Sequence, residues 1–416
     1  MDRSDGRVLP LRAGGTGMDR QGRWRWAGRS PLFTGHRWGH ALQDERLFPY
    51  GHARDADWRQ ALTAALEMAG PRVRNGTLGF LYVSDAFESD LPEILSALRK
   101  ESGVPHWTGC VGIGICAMAR EYLDEPALAF MVTDFPEAEF RLFDEMEPHP
   151  SGTSLTVGAG RPAYFAIVHG DAQTPDLPDL VADFAGRMSS GFVTGGISSS
   201  RARNAQIADK VVHGGLSGVA FSERVAIATR LTQGCSPIGP THRIAEAKNN
   251  VIARLDDRPA LDVFYDEIGD ILSRDLQRAA GFIFVALPVK YDDRGDYTVR
   301  NLIGVDIDRK LLAIGEYVES GQALMFCKRD GATAREDLGR MLVEIGRLAG
   351  RRAIRGGLYF SCLGRGESLF GPDSAELRMI QENLGDFPLV GFFANGEISH
   401  DKIYGYTGVL TLFLDA

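Results

Sequence analysis

Apolar and polar positions alternate along the chain in three similar sets, each a strand-like run followed by a helical stripe. The first set begins with "GFLYVSD" (79–85), and the next two begin with "AYFAIVH" (163–169) and "GLYFSCL" (357–363). Apolar residues then recur at the three- and four-residue spacing of a helix that packs one face on a core. The stripes are Leu91, Ile94, Leu95 and Leu98, then Leu177, Leu180, Val181, Phe184 and Met188, then Leu377, Ile380 and Leu384.

A glycine-containing stretch follows each stripe. The three stretches are "TGCVGIGI" (108–115), "GFVTGGIS" (191–198) and "GFFANGEIS" (391–399), and each leads to a further apolar run, at 127–135, 217–231 and 406–415. The repeat predicts three units of strand, helix, strand and strand, with the last pair antiparallel. Asn395-Gly396 favours a hairpin in the third unit.

The region 281–350 departs from this order. "GFIFVALPV" (281–289) and the residues after it predict a β-meander, and a helix follows whose predicted buried side carries Leu338, Met341, Leu342, Ile345 and Leu348. The fold class is therefore α/β shading to α+β, with mixed sheets and two related halves.

A charged segment with a proline divides the predicted halves. "RLDDRPALDVF" (254–264) precedes the amphipathic helix "ALDVFYDEIGDIL". We expect a flexible tail and lead-in at 1–47, a first domain at 48–256 and a second domain at 257–416.

Composition restricts the class of function. The chain has 416 residues, 44% of them hydrophobic, and a net charge of −9, which argues against a broad basic face for nucleic acid. The nine-residue run 281–289 is too short to span a bilayer. Five cysteines without a C-x-x-C pair fit reduced thiols, so we expect a cytoplasmic protein without a disulfide framework.

The loop "SCLGRGESLF" (361–370) is the first candidate site. Gly364 and Gly366 can turn backbone N–H groups inward to form an anion-binding nest, and Arg365 adds a bidentate fork for a carboxylate or phosphate. The alternative is a tight turn in which Arg365 pairs with a local acid such as Glu367.

Two other loops are expected to wall the same hollow. "TQGCSPIGP" (232–240) carries Gln233, Gly234 and Cys235, and "NGEIS" (395–399) carries Asn395, Gly396 and Glu397. A carboxylate at Glu397 suits a ligand's ammonium and Arg365 suits its carboxylate, so an amino acid is a candidate ligand. The alternative for Glu397 is an exposed turn acid.

Several catalytic motifs are absent from the sequence. There is no P-loop, no G-x-S-x-G elbow and no H-E-x-x-H, and "GCVGIGI" does not match the dinucleotide fingerprint. Cys362 or Cys235 could serve as a nucleophile with His242 or His400 as the base, provided that a neighbour lowers the thiol pKa. The nine histidines show no metal-ligand spacing, which leaves haem undecided because one axial ligand needs no spacing.

Four segments carry a family resemblance: "GGLSGVAFSERVAIATRLTQGCSPIGPTHRIAEAKNNVI", "YTVRNLIGVDIDRKLLAIG", "GGLYFSCLGRGESLFG" and "PLVGFFANGEISH" with "YGYTGVLTLF". Together they resemble the FIST N-terminal segment followed by FIST C, over roughly residues 50–416. The order Q-G-C-x-P-I-G, C-x-G-R-G and G-F-x-x-x-G-E-I is specific.

The resemblance implies a bacterial-type sensory module, not an enzyme, that binds a small ligand such as an amino acid or a derivative. It also implies a signalling partner, such as a histidine kinase or a cyclic-nucleotide enzyme. Since the last predicted strand reaches Ala416, we expect the output to pass to a separate protein, with no membrane or nucleic-acid partner. A homodimer is expected from the habit of sensors, and a haem-dependent nitric-oxide sensor is the alternative because some members resemble one. The motif positions are Gln233, Gly234, Cys235, Cys362, Gly364, Arg365, Gly366, Gly396 and Glu397.

Overall fold

The structure is a computed structural model that describes residues 45–148, 152–273, 282–289 and 297–416, together with two short strands near the start. Those strands, Gly17–Met18 and Trp24–Arg25, pair antiparallel with each other. The rest of the predicted tail up to residue 44 lies outside the described residues. The chain divides into a unit at 1–43 and a compact unit at 44–416, and the second unit is the subject below.

Five of the helices follow the predicted apolar stripes and amphipathic segment, while those at 58–69 and 367–370 were not predicted. The helices are α1 (Trp58–Ala69), α2 (Leu91–Ser102), α3 (Leu177–Gly186), α4 (Ala260–Ser273), α5 (Gly331–Ala349), α6 (Glu367–Phe370) and α7 (Ala375–Leu384). Leu348 is the exception, because 42% of it is exposed instead of buried. It lines the cleft described below, where no described element covers it.

The strands are numbered here with the two short ones as β1 and β2. They continue as β3 (Tyr50–Arg54), β4 (Leu78–Ser84), β5 (His106–Gly112), β6 (Gly114–Ala117), β7 (Arg120–Leu123), β8 (Ala127–Thr133), β9 (Phe140–Glu145), β10 (Phe165–Gly170), β11 (Phe192–Ile197), β12 (Ala205–Ala208), β13 (Val211–His213), β14 (Leu216–Phe221), β15 (Ile227–Thr232), β16 (Cys235–Pro237), β17 (His242–Lys248), β18 (Val251–Leu255), β19 (Arg258–Pro259), β20 (Ile283–Pro288), β21 (Tyr297–Asp306), β22 (Leu311–Ile314), β23 (Ala323–Arg329), β24 (Ile354–Cys362), β25 (Leu389–Ala394), β26 (Glu397–His400), β27 (Lys402–Tyr404) and β28 (Gly408–Leu414).

Three similar mixed sheets confirm the predicted repeat. Their strand orders are β13-β12-β5-β4-β8-β3, β27-β26-β11-β10-β14-β9 and β7-β6-β25-β24-β28-β15. Each contains a central parallel pair, and a further strand runs antiparallel to the first member of that pair. The fold is accordingly α+β with mixed sheets, as the sequence predicts.

One hairpin of each unit pairs with the sheet of a neighbouring unit. The hairpin β6–β7 pairs with β25 of the third unit, β12–β13 with β5 of the first, and β26–β27 with β11 of the second. Asn395-Gly396 therefore joins strands of two different sheets, and the hairpin predicted there is wrong. The exchange is favourable because it buries Ile398 in the core beneath α3.

One glycine occupies the same place in all three sheets. A Cβ at Gly109, Gly195 or Gly391 would overlap a carbonyl oxygen of the adjacent parallel strand. The structural counterpart in the second unit is thus Gly195 and not Gly191, the first glycine of the sequence match. Only the absence of a side chain permits this close approach of two backbones.

The three sheets face one another around a shared core. Its centre is formed by Tyr82, His169 and Phe360, whose ring centroids lie 5.7 to 6.2 Å apart. Tyr82 Oη and His169 Nε2 are 3.2 Å apart. Burial lowers the pKa of His169 to about 3, so its imidazole is neutral at pH 7.

The predicted meander closes into a barrel. Strands β17, β18, β22, β21, β20 and β23 pair in a ring, because β23 pairs with both β17 and β20. The barrel is inserted between β15 and β24 of the third unit, and the predicted division at 256/257 falls inside it. The apolar run 217–231 is likewise divided, since β14 belongs to the second sheet and β15 to the third. No helix in the described ranges is long and apolar enough to cross a bilayer.

Candidate functional site

The Arg365 loop holds an anion, and that anion is a side chain of the protein itself. Arg365 Nε donates to Glu376 Oε1 at 2.7 Å, and Gly366 N–H donates to Glu376 Oε2 at 3.1 Å. Tyr359 Oη and Ser361 Oγ also donate to this carboxylate, at 2.6 and 3.2 Å. The Arg365 partner is therefore Glu376 on α7, whereas Glu367 is exposed.

Glu397 is buried, which rules out the exposed turn acid considered above. Its Oε2 accepts from Thr407 Oγ1 at 2.6 Å and from Thr407 N–H at 3.1 Å. Its Oε1 has no hydrogen-bond partner among the described residues. Burial raises the pKa of Glu397 to about 8, although the bonds from Thr407 and the charge of Arg365 oppose the rise.

Glu121 is a half-buried acid that sequence reasoning missed, and both of its carboxylate oxygens are enclosed. It reaches the Arg365 loop from the exchanged strand β7, so that a Cβ at Gly366 would press on its Oε2. Burial, together with the nearby carboxylate of Glu376, raises the pKa of Glu121 to about 8. No sequence pattern links β7 to this loop, because the hairpin exchange alone brings them together.

The cysteines lack the environment that a nucleophile needs. Burial and the carboxylate of Glu397 raise the pKa of Cys362 to about 12, in the direction opposite to activation. Cys235 is only 2% exposed and packs in a small apolar cluster with Cys327. The Nδ1 atom of His242, the predicted base, lies 2.8 Å from Asp256 Oδ2.

The three predicted loops come together, but at a packed junction. A Cβ at Gly234 would lie 3.3 Å from Arg365 Nη1, and Gly364 N–H donates to Cys362 Sγ at 3.5 Å. Gly396 is buried against Ile197 and Ile403, while Asn395 is exposed and its backbone N–H donates to Ile197 O at 2.9 Å. Arg365, Glu397 and the other predicted site residues of their two loops do not line the cleft described next, although Ser399 at the end of the third loop does.

A cleft of about 870 Å³ lies next to this junction. Its walls come from the starts of β10 and β11, strands β15 and β16, the start of the barrel strand β21, helix α5 and the end of β26. Gln233 and Cys235 line it, and they are the two predicted site residues that do so. The volume is in the range of small-ligand pockets.

Charged side chains of α5 and β15 form a network along one wall. Arg340 Nε and Nη1 donate to Asp337 and Glu344, each at 2.8 Å, and Arg230 Nε lies 3.7 Å from Glu344. Asp337 Oδ2 also accepts from Gln233 N–H at 2.6 Å and from Thr232 Oγ1 at 2.9 Å. The sequence predicts only that α5 has a polar face at this wall, and nothing in it indicates that β15 lies alongside.

Gln233 contributes a buried polar atom to which no described residue is hydrogen-bonded. The residue is 7% exposed, and its Nε2 donates to Tyr297 O at 3.2 Å. Its Oε1 has no hydrogen-bond partner in the described part of the chain. A buried acceptor without a donor is costly, so this atom is placed to receive an N–H or O–H group from a ligand.

The described residues give no positive support for a metal or a haem site. They contain no group of three or more histidine, cysteine, aspartate or glutamate side chains that could hold an ion. His169 is enclosed in the central core, and His400 on the cleft packs edge-on against Phe192 at 4.7 Å. The charged wall formed by Asp337 and Glu344 is unsuited to an apolar macrocycle, so haem gains no support.

The fold and the cleft define a protein of three related α+β units with a concave site where two units and an inserted barrel meet. Family models match at residues 77–258 (FIST N domain) and 260–400 (FIST C domain). The chain belongs to the FIST family, whose domains are generally sensory domains of signal transduction.

Mycobacterial proteins are similar over most of the chain. The uncharacterised protein Rv0628c of Mycobacterium tuberculosis (strain ATCC 25618 / H37Rv) is 30% identical over 387 residues, covering 86% of this chain and 97% of the relative. The uncharacterised protein Mb0898c of Mycobacterium bovis is 30% identical over 393 residues, covering 87% and 96%. The similarity therefore extends through both FIST regions.

Proposed function

We propose that this protein is a cytoplasmic sensory module that binds a small ligand in the cleft and signals to a separate effector protein. The observation that carries the proposal is the unbonded Oε1 of the buried Gln233 on the cleft wall. A ligand donor supplied to this atom gains a hydrogen bond without breaking one inside the protein.

The cleft also supplies a cation for an acidic ligand. Arg352 lines it and is exposed, its Nη2 donates to Leu348 O at 3.4 Å, and it forms no ion pair within the described ranges. Arg365, by contrast, is occupied by Glu376. The ligand-binding roles predicted for Arg365 and Glu397 stay predictions, and we favour Arg352 as the group that meets a carboxylate. An amino-acid derivative combines that carboxylate with a donor for Gln233.

The position of the cleft suits signalling. Its walls belong to the second unit, the third unit and the barrel, so a bound ligand contacts all three. A ligand that prefers one arrangement of these walls shifts the population toward it by its difference in affinity. The effector, such as a histidine kinase or a cyclic-nucleotide enzyme in trans, would recognise that arrangement.

The test is native mass spectrometry with a panel of amino acids and their N-acyl and amide derivatives. We expect one class of compound to be retained by the parent protein and lost from Gln233→Leu. Gln381→Leu is the matched control, because Gln381 is also 7% exposed but lies on α7, away from the cleft. Retention by Gln233→Leu equal to that of the parent would refute the proposed site.

A further inference from the structure

One wall of the cleft is an open sheet edge. Strand β15 pairs antiparallel with β28 on one side, and no described strand pairs with its other side. Ala226 O accepts from Leu414 N–H at 2.9 Å, so the even-numbered residues direct their backbone groups toward β28. Ile227, Thr229 and Leu231 consequently direct their N–H and C=O groups to the free edge.

This free edge faces the cleft. Residues 227 to 231 all line it, although side chains of a strand point alternately to opposite faces. Five consecutive residues can line one space only through the strand edge. Among the free-edge groups, the carbonyl of Thr229 accepts from Arg230 Nη1 at 2.8 Å, and its second lone pair is still available.

Two polar groups mark the ends of the edge. Helix α5 runs antiparallel to β15, because Asp337 contacts Thr232 and Gln233 while Glu344 lies near Arg230. Arg352 follows the end of α5 at Ala349, and its Nη2 donates to Leu348 O about one turn beyond Glu344, so it lies toward the Ile227 end. Gln233 Oε1 lies at the opposite end of β15. The five edge residues 227–231, which lie between these two polar groups, span about 17 Å.

We propose that the ligand is a short extended peptide that adds to the free edge of β15 as an extra strand. Its carboxylate lies at Arg352 and its first N–H donates to Gln233 Oε1, so it runs antiparallel to β15. This assignment rests on the proposed function and specifies its ligand class. A peptide is favoured because it alone supplies alternating donors and acceptors at strand spacing, and a polyphosphate would face Asp337 and Glu344.

The test uses the full chain and a pool of acetylated tetrapeptides with free carboxylates, randomised at all four side chains. Native mass spectrometry should detect retained peptides from this pool. It should detect none from a matched pool in which every amide nitrogen is methylated, since methylation removes the donors for the sheet edge. Absence of retained peptides from the first pool, or equal retention from both, would overturn the peptide assignment.

A pair of variants tests the edge itself. Thr229→Pro removes a free-edge N–H but no ladder bond to β28, and proline is accepted at such positions. Thr229→Val also removes the Thr229 hydroxyl but keeps the backbone N–H, so it is the matched control. We expect Thr229→Pro to weaken peptide binding about tenfold and Thr229→Val to bind like the parent.

The possible results distinguish strand addition of a peptide from ligand binding at the cleft in general. Peptide binding unchanged in a folded Thr229→Pro variant would contradict strand addition. If Thr229→Pro does not fold, the comparison of the two pools decides. If an amino-acid derivative binds in a Gln233-dependent manner and the peptide pool does not, the sensory site stands and the peptide assignment falls.

Discussion

Arg365 and Glu376 form a buried ion pair in which the guanidinium Nε and Nη2 each lie 2.7 Å from the carboxylate Oε1, and both side chains are at most 1% exposed. The pair links the loop after β24 to helix α7. The Glu376 carboxylate also accepts hydrogen bonds from Tyr359, Ser361 and Gly366, so it holds the whole loop in place.

Removing one member of this pair should destabilise the fold strongly. Glu376→Ala leaves the Arg365 charge buried without its partner, and we expect it to lower the free energy of unfolding by about 3 to 5 kcal/mol. Urea denaturation followed by circular dichroism measures the change. Glu367→Ala, in the same loop but exposed, is the control and should change it by less than about 0.5 kcal/mol. A loss below 1 kcal/mol for Glu376→Ala would contradict the structural role.

Glu397 should make the protein less stable as the pH rises. Its folded-state pKa is raised to about 8, so the folded protein keeps a proton that the unfolded chain loses above its ordinary pKa of about 4.3. The free energy of unfolding therefore falls between pH 5 and 8, by up to about 1.4 kcal/mol per pH unit from this group. Glu397→Gln cannot lose a proton and should show a shallower fall.

Urea titrations at pH 5, 6.5 and 8 measure this slope for the parent and the variant. Glu121 contributes in the same direction in both proteins, so their difference reports on Glu397. Glu367→Gln serves as the surface control and should follow the parent. Identical slopes for the parent and Glu397→Gln would show that the acid does not keep its proton in the folded state.

The glycine shared by the three sheets should tolerate no side chain. A Cβ at Gly195 would collide with the backbone carbonyl of Val168, which cannot move without breaking the ladder. We expect Gly195→Ala to lower the free energy of unfolding by about 3 kcal/mol.

Gly339→Ala provides the opposite case within helix α5. A Cβ there meets nothing within 4 Å, and alanine should raise the free energy of unfolding by about 0.4 to 1 kcal/mol. Urea denaturation followed by circular dichroism compares both variants. Equal effects of the two substitutions would argue against the close approach of the parallel strands.

Cys362 should be unreactive in the native protein. Its pKa is raised to about 12, so the thiolate fraction at neutral pH is very small. Iodoacetamide at pH 7.5 should alkylate Cys362 far more slowly in the native state than in urea, with peptide mass mapping to locate the label. Rapid native labelling that disappears in Cys362→Ser would revive the cysteine-enzyme alternative.

Local patterns in the sequence were sufficient for the repeated elements. The stripe from Leu91 to Leu98 predicted α2 and its buried face, because helix periodicity and burial are properties of neighbouring residues. The family motifs also located Gln233 and Arg365. Whether a motif residue contacts a ligand or another side chain depends on what packs against it, which explains why Glu376 was not recognised as the partner of Arg365.

The sequence alone determined the class of fold, the three strand–helix units and the sensory family, since each follows from periodicity or from short motifs. Only the tertiary structure decided the hairpin exchange, the barrel inserted between β15 and β24, and the cleft that brings Gln233 to the polar face of α5. Strand pairing between distant segments follows from the burial that the whole assembly achieves, and no local pattern encodes it.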